Sequence, residues 1–146
     1  MKIENENLVF VYGTLMSGFG NNALLRNGNA ELQTTASIRA AMYDLGCFPG
    51  VKLCGPNDDN LPRGKNVVGE VWKVDKPTLK NLDRLEGEGV LYKRKTTTIL
   101  NNERNNWGGK KVWVYEIMRE QDEESLVASG DYRKHYDTHP TNRFRL

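Results

Sequence analysis

Glu86 is the residue of this 146-residue chain whose position best suits acid–base chemistry. It follows Leu82 by four positions, so both side chains lie on one face of a predicted helix, in the last turn before Gly87. Partial desolvation and the negative end of the helix dipole both favour the protonated carboxyl, so we expect a raised pKa. A carboxyl that titrates near neutral pH can act as a general acid and base.

The same spacing has a second interpretation that the residues leave open. A glutamate at a frayed helix end commonly lies at the surface, where it could pair with Arg84 or Lys93. Periodicity alone does not choose between a buried acid–base group and this surface ion pair.

Glycine-rich and serine motifs give little support to other chemistry. Residues 18–23 match the Gly-x-Gly-x-x-Gly/Ala form of a dinucleotide fingerprint, but the predicted helix is too short and the loop before it too long. Phe19 stands where a phosphate-binding loop requires lysine, and no Gly-x-Ser-x-Gly nucleophile motif occurs. We therefore expect neither phosphate chemistry nor a covalent acyl-enzyme.

The two histidines, His135 and His139, have the four-residue spacing of helical metal ligands. Neither a cysteine nor the glutamate of a metalloprotease motif accompanies them, and Pro140 ends any helix there. We expect both to be surface residues, and we expect no metal site.

Charge does not favour a nucleic-acid partner. The 21 basic and 19 acidic residues give a net charge of +2, and the two signs are interspersed, so no strong field is available for a phosphate backbone. A minor alternative is a basic and aromatic cluster near the C-terminus, which comprises Tyr132, Arg133, Lys134, Tyr136, Arg143, Phe144 and Arg145.

Composition indicates a water-soluble protein with no membrane partner. Hydrophobic residues make up 38% and charged residues 27%, and no apolar run approaches the roughly 20 residues of a membrane span. The apolar stretch 8–12 is shorter than a signal-peptide core, so we expect a cytoplasmic location. Cys47 and Cys54 are then expected to be thiols without a functional role.

The elements that would position Glu86 are predicted from hydrophobic patterns and turn residues. The run 8–12 predicts a central strand buried on both faces, and Asp75, Pro77 and Gly87 delimit a helix over 76–86. Its apolar stripe is Leu79, Leu82 and Leu85. Short helices are expected at 23–26 and within 131–146, an exposed loop at 54–65, and further strands at 37–45, 51–53, 67–74, 92–100 and 111–118.

These elements lack regular βαβ alternation, so they predict a single α+β domain over residues 1–146. Its centre would be a small, twisted, mixed β-sheet or β-barrel flanked by short α-helices. Glu70 lies among the apolar residues of the strand 67–74, and the pattern offers no reason for an acid there.

Three segments together resemble the γ-glutamylcyclotransferase-like superfamily, in particular its small single-domain members related to γ-glutamylamine cyclotransferase. They are Val11-Tyr12-Gly13-Thr14-Leu15, Leu82-Asp83-Arg84-Leu85-Glu86-Gly87 and Leu91-Tyr92-Lys93-Arg94, in the family's order and approximate spacing. Residues 112–116 and 129–133 are also similar, so the resemblance spans nearly the whole chain.

The resemblance implies a β-barrel with a pocket in which Glu86 is the catalytic general acid/base. The turn Tyr12-Gly13-Thr14-Leu15 would bind the substrate, through backbone amides that grip its α-carboxylate. The implied reaction converts a small γ-glutamyl compound to 5-oxoproline and a free amine or amino acid without a cofactor. Tyr92 and Tyr115 would donate to the oxyanion or form the pocket wall.

Two points about activity and assembly stay open. A non-catalytic binding or regulatory module could use the same pocket for a small anionic ligand, since fold similarity alone does not fix activity. The Gly87-Glu88-Gly89 segment replaces the proline or hydrophobic residue common there in the family, which predicts leaving-group recognition of its own. We expect a monomer or a weak dimer.

Overall fold

A computed structural model describes residues 7–46, 48–54, 66–100, 106–121 and 123–138. These residues form a six-stranded mixed sheet in the order β3-β2-β4-β1-β6-β5, with three short helices. The strands are β1 Asn7–Val11, β2 Ala30–Asp44, β3 Pro49–Leu53, β4 Asn66–Val74, β5 Tyr92–Thr98 and β6 Lys111–Ile117. The helices are α1 Asn22–Arg26, α2 Lys76–Glu86 and α3 Tyr132–Thr138.

The sheet curls until it is nearly a barrel. The end strand β3 contacts β6, which lies next to the other end of the sheet: Lys52 Nζ donates to Ile117 O at 2.7 Å, and Leu53 N donates to a Glu116 carboxylate oxygen at 2.7 Å. The predicted α+β fold with a barrel-like sheet is confirmed.

Strand β1 lies at the centre of the sheet, as its apolar run predicts. It pairs antiparallel with β4 and parallel with β6, and Val9 and Phe10 are fully buried. Because neighbours on both sides fix this strand, the turn that follows Val11 leaves the sheet from a rigid element.

Helix α2 has the predicted bounds. Asp75 caps its N-terminus by accepting a hydrogen bond from Thr78 N at 2.9 Å, and Gly87 caps the other end in the left-handed region, with φ 60°. Leu79 and Leu82 are buried in the core as expected. Leu85, the third residue of the apolar stripe, is 42% exposed.

Strand β2 is longer than predicted, because it begins at Ala30 rather than at residue 37. Its first half carries Glu31 and Gln33 and has a register shift between Leu32 and Thr34, so no apolar alternation marks it in the sequence. Pairing with β4 nevertheless holds this half in the sheet, because a tertiary partner supplies the backbone hydrogen bonds that local pattern does not indicate.

The predicted hairpin of residues 92–118 and the helix in the C-terminal tail are confirmed, as β5 with β6 and as α3. Cys54 is the one residue of the predicted loop 54–65 that the structure describes, and Cys47 and residues 139–146 also lie outside the described residues. None of the helices in the described ranges is long and apolar enough to cross a membrane.

Gly69 on β4 tests the close packing around β1. A Cβ atom at this position would lie 2.6 Å from Phe10 Cζ and would also meet the Val11 carbonyl oxygen. We expect Gly69→Ala to lower the unfolding free energy by about 1–3 kcal/mol, because backbone must shift to admit the methyl group. Thermal unfolding should then show a melting temperature lower by roughly 3–10 °C.

Gly20→Ala is the matched control, since nothing lies within 4 Å of a Cβ atom built there. Equal melting temperatures for the two variants would contradict the packing described for Gly69.

Candidate functional site

A cavity of about 440 Å³ opens where β1 ends. Its wall combines the end of β1 and the following turn with the C-terminal end of α2 and residues from four other segments. The lining residues are Phe10, Val11, Tyr12, Gly13, Thr14, Leu15, Asn21, Phe48, Pro49, Leu85, Glu86, Leu91, Tyr92 and Tyr115. All seven site residues named from the sequence therefore lie around one cavity.

The turn at residues 13–15 presents successive backbone N–H groups to this cavity. The N–H groups of Gly13, Thr14 and Leu15 donate to no acceptor in the part of the chain that the structure describes. A side chain at position 13 would displace Pro49, because a Cβ atom there would lie 2.7 Å from Pro49 Cγ. Unsatisfied successive N–H groups in a turn form a concavity suited to an anion.

Side chains behind this turn hold its shape. Asn22, which is buried, donates from Nδ2 to Leu15 O at 2.8 Å. Asn21 Nδ2 donates to Thr14 Oγ1 at 2.8 Å, and its backbone N–H donates to Thr14 O at 3.1 Å. These contacts engage carbonyl and hydroxyl oxygens of the turn and leave the N–H groups of residues 13–15 without acceptors in the described ranges.

Glu70, the acid for which the sequence pattern offered no reason, has a structural role. It is buried on β4, and its Oε1 accepts hydrogen bonds from Ser17 N at 2.8 Å, from Ser17 Oγ at 3.2 Å and from Trp72 Nε1 at 3.1 Å. Arg133 of α3 lies 3.8 Å from Glu70 Oε2 and donates to Ser17 O at 2.8 Å. Glu70 therefore ties the segment after the 13–15 turn to the sheet, a role that no local pattern reveals.

Glu86 lies on the cavity wall, at the last position of α2. Its side chain is half-buried, and burial raises the pKa of its carboxyl from 4.5 to about 7. Desolvation is the cause, because removal from water penalises the ionised form.

The alternative ion pairs suggested for Glu86 do not form. Lys93 Nζ lies 3.7 Å from a carboxylate oxygen of Glu88, and Arg84 donates to Asn81 Oδ1 at 3.3 Å. No hydrogen bond or ion pair joins Glu86 to another residue in the described ranges. The interpretation of Glu86 as a paired surface residue is therefore wrong.

Three tyrosines enclose the cavity, and their hydroxyl hydrogens are engaged elsewhere. Tyr12 donates to Tyr115 O at 2.7 Å, Tyr92 donates to Pro49 O at 2.7 Å, and Tyr115 donates to Asp83 Oδ1 at 2.6 Å. Burial raises the pKa of all three above the ordinary 10.0, so they stay neutral. In this arrangement they form wall rather than free donors.

Asp83 joins Tyr115 to β5. Besides accepting from Tyr115, its carboxylate lies 3.1 Å from Arg94 Nε, and the Arg94 guanidinium stacks 4.3 Å above the ring of Trp113. This network fixes the Tyr115 ring at the cavity wall, and sequence reasoning did not identify it because its members are distant along the chain.

His135 was wrongly predicted as a surface residue. Its side chain is largely covered and its Nε2 lies 2.8 Å from Asp44 Oδ2, which links α3 to the end of β2. His139 lies outside the described residues. In the described ranges no group of three or more histidine, cysteine or acidic residues could hold a metal ion.

The C-terminal basic and aromatic cluster is also not arranged as predicted. Tyr132 is buried, and Tyr136 packs edge-on against Phe19 with ring centroids 5.2 Å apart. Arg133 lies over the same Phe19 ring at 5.1 Å. These aromatic rings take part in packing between α3 and Phe19. Residues 143–145 lie outside the described part of the chain.

The sequence of this chain is similar to those of known proteins in one family. The family model described as gamma-glutamyl cyclotransferase, AIG2-like, matches residues 9–134. The gamma-glutamylcyclotransferase family protein YtfP of Escherichia coli K12 is 32% identical over 125 residues, which cover 85% of this chain and 94% of YtfP. Human gamma-glutamylaminecyclotransferase is 37% identical over 94 residues, which cover 60% of this chain and 58% of the human protein.

A solved structure shows the same fold. The crystal structure of an AIG2-like protein from Mus musculus superposes with a TM-score of 0.67 at 23% identity, covering 87% of this chain and 88% of the mouse chain. With the family model spanning most of the sequence, the chain belongs to the gamma-glutamyl cyclotransferase, AIG2-like family.

Proposed function

We propose that this protein is an enzyme that converts a γ-glutamyl amide to 5-oxoproline and a free amine, with Glu86 as general acid/base. The observation that carries the proposal is the shared cavity. It holds a carboxyl whose pKa is about 7 and three backbone N–H groups without acceptors in the described ranges. Family membership supports the reaction class.

The turn of Gly13, Thr14 and Leu15 would bind the α-carboxylate of the substrate. Backbone N–H groups bind an anion without adding a side-chain cation that would compete for Glu86. With this end fixed, the flexible γ-glutamyl chain can fold so that its α-nitrogen approaches its own γ-carbonyl carbon. Holding the reacting atoms of one molecule together supplies a large effective molarity, so no nucleophile from the protein is required.

Glu86 would move the protons. Its carboxylate takes one proton from the substrate's α-ammonium group, and the neutral nitrogen attacks the γ-carbonyl carbon to form the ring C–N bond. The carboxyl then protonates the leaving nitrogen as the original amide C–N bond breaks. The new ring nitrogen still carries one proton too many, and this second proton also passes to the amine. The amine therefore departs as an ammonium ion, and Glu86 begins and ends the cycle ionised.

The developing oxyanion requires a hydrogen-bond donor. The hydroxyl hydrogens of Tyr92 and Tyr115 already serve Pro49 and Asp83, so we assign both residues to the wall of the pocket. A backbone N–H group of the turn or a water molecule would then donate a hydrogen bond to the oxyanion.

A non-catalytic module that binds a small anion is the second candidate, because the backbone N–H groups alone would serve it. The raised pKa of Glu86 favours the enzyme, since a pocket that only binds anions gains nothing from a carboxyl that becomes negative near pH 7. Ligand-induced thermal stabilisation by γ-glutamyl compounds without 5-oxoproline release would favour the module.

Turnover of γ-glutamyl amides tests the proposed role of Glu86. We expect Glu86→Gln to lower kcat for 5-oxoproline release by about 10²–10⁴-fold, because the amide cannot accept and return the proton. Glu31→Gln, the same change at an exposed residue of β2, should retain wild-type activity. A Glu86→Gln enzyme as active as the control would remove Glu86 from the mechanism.

The pH dependence of kcat/KM should report the same group. Because Glu86 must be ionised in the free enzyme to accept a proton, activity should rise with pH through a midpoint at about 7. An acidic limb centred at 4.5, the ordinary value of a glutamate, would contradict the proposed environment.

Stability should change with pH in the opposite direction. The folded protein holds the Glu86 proton more tightly than the unfolded chain does, so the unfolding free energy falls as the pH rises from about 4.5 to about 7. Glu86→Gln does not ionise, so urea unfolding should show it more stable than wild type by about 3 kcal/mol at pH 8. This difference should vanish below pH 4.5, and a difference independent of pH would contradict the account.

A further inference from the structure

The cavity is larger than the γ-glutamyl group that the proposed function places in it. That group has nine non-hydrogen atoms, which need about 270 Å³ at the roughly 30 Å³ that a water molecule occupies in the liquid. The cavity volume is about 440 Å³. Part of it therefore remains for the leaving group.

The leaving nitrogen must lie beside Glu86, because it receives its proton there. The cavity residues that adjoin Glu86 along the chain are Leu85, at the end of α2, and Leu91, after the turn that follows the helix. Phe48 also lines the cavity, with its ring centroid 6.4 Å from that of Tyr92. The cavity therefore has apolar side chains that could contact the leaving group.

Charged side chains near this surface are engaged elsewhere. Glu88 accepts a hydrogen bond from Arg94 N at 3.0 Å and lies 3.7 Å from Lys93 Nζ. Its carboxylate is therefore bound to two residues of β5. Arg94 itself lies 3.1 Å from Asp83. Among the described lining residues there is neither a cation to bind a carboxylate nor a second acid to bind an ammonium group.

Leu85 lies at the mouth of the cavity, because it lines the cavity and is also 42% exposed to water. Covering such surface with an apolar ligand group is favourable because it removes both surfaces from water.

We infer that the leaving group is an apolar amine, an alkyl or arylalkyl chain without a carboxylate or a second ammonium group. This inference rests on the proposed function. It separates γ-glutamyl amides of hydrophobic amines from γ-glutamyl amino acids and from γ-glutamyl derivatives of diamines.

A homologous series of γ-glutamyl alkylamides, from methyl to pentyl, tests the inference. We expect kcat/KM for 5-oxoproline release to rise two- to fourfold for each added methylene that becomes buried. The pentylamide should exceed γ-glutamylglycine and the γ-glutamyl monoamide of 1,5-diaminopentane by at least tenfold. A flat series, or faster turnover of either charged compound, would overturn the inference.

The variant Leu85→Gln tests whether Leu85 is part of the apolar surface that contacts the leaving group. It should reduce the ratio of pentylamide to methylamide kcat/KM at least threefold, because it removes apolar area from the mouth. Leu32→Gln is the matched control, since Leu32 is 47% exposed on β2 and lies outside the cavity lining. An unchanged ratio in Leu85→Gln would contradict the assignment of this surface.

Calorimetric binding of the same amides to Glu86→Gln separates this inference from the proposed function. Affinity that rises along the series in a protein whose wild type releases no 5-oxoproline would refute the proposed reaction and retain the apolar subsite. Turnover without dependence on chain length in either experiment would retain the reaction and refute the subsite.

Discussion

Glu86 is held partly buried in the cavity wall without a cation or hydrogen-bond donor in the described ranges, and the surrounding elements maintain that position. Its placement depends on where α2 stops. Asp75 and Gly87 fix the two ends of the helix, and Leu79 and Leu82 anchor it to the core, so the last residue faces the turn after β1. Because desolvation alone raises the pKa, any change that admits water or a cation would lower it.

The opposite wall depends on a buried polar network. Two hydrogen bonds from Ser17 to Glu70 and one from Asn22 to Leu15 hold the segment after β1, while Trp72 Nε1 fixes the Glu70 carboxylate from β4. The N–H groups of Gly13, Thr14 and Leu15 are left without acceptors in the described ranges. Buried polar groups are tolerated when they are satisfied, and such networks specify one conformation. The network stabilises the conformation of the turn, whereas Glu86 is the residue to which we assign the proton transfers.

The helix and the central strand could be predicted because their signals are local. The cap at Asp75 and the apolar run of β1 require no knowledge of distant residues. The expectation that Glu86 and the 13–15 turn line one cavity came instead from the family resemblance. The first half of β2 escaped prediction because pairing with β4, not its own pattern, makes it a strand.

Long-range contacts account for the remaining errors in the site. Whether His135 lies at the surface depends on Asp44, and whether a tyrosine hydroxyl is free depends on partners such as Pro49 that are distant in sequence. Helical periodicity places Leu85 on the apolar stripe but does not show that it lines a cavity and stays partly exposed.

Direct titration of the Glu86 carboxyl by ¹³C NMR, with its signal assigned by its loss in Glu86→Gln, tests the central claim. The account predicts a midpoint at about pH 7 in the folded protein without ligand. A midpoint at 4.5 would show a solvated carboxylate and would contradict the desolvated acid–base group on which the proposed mechanism depends.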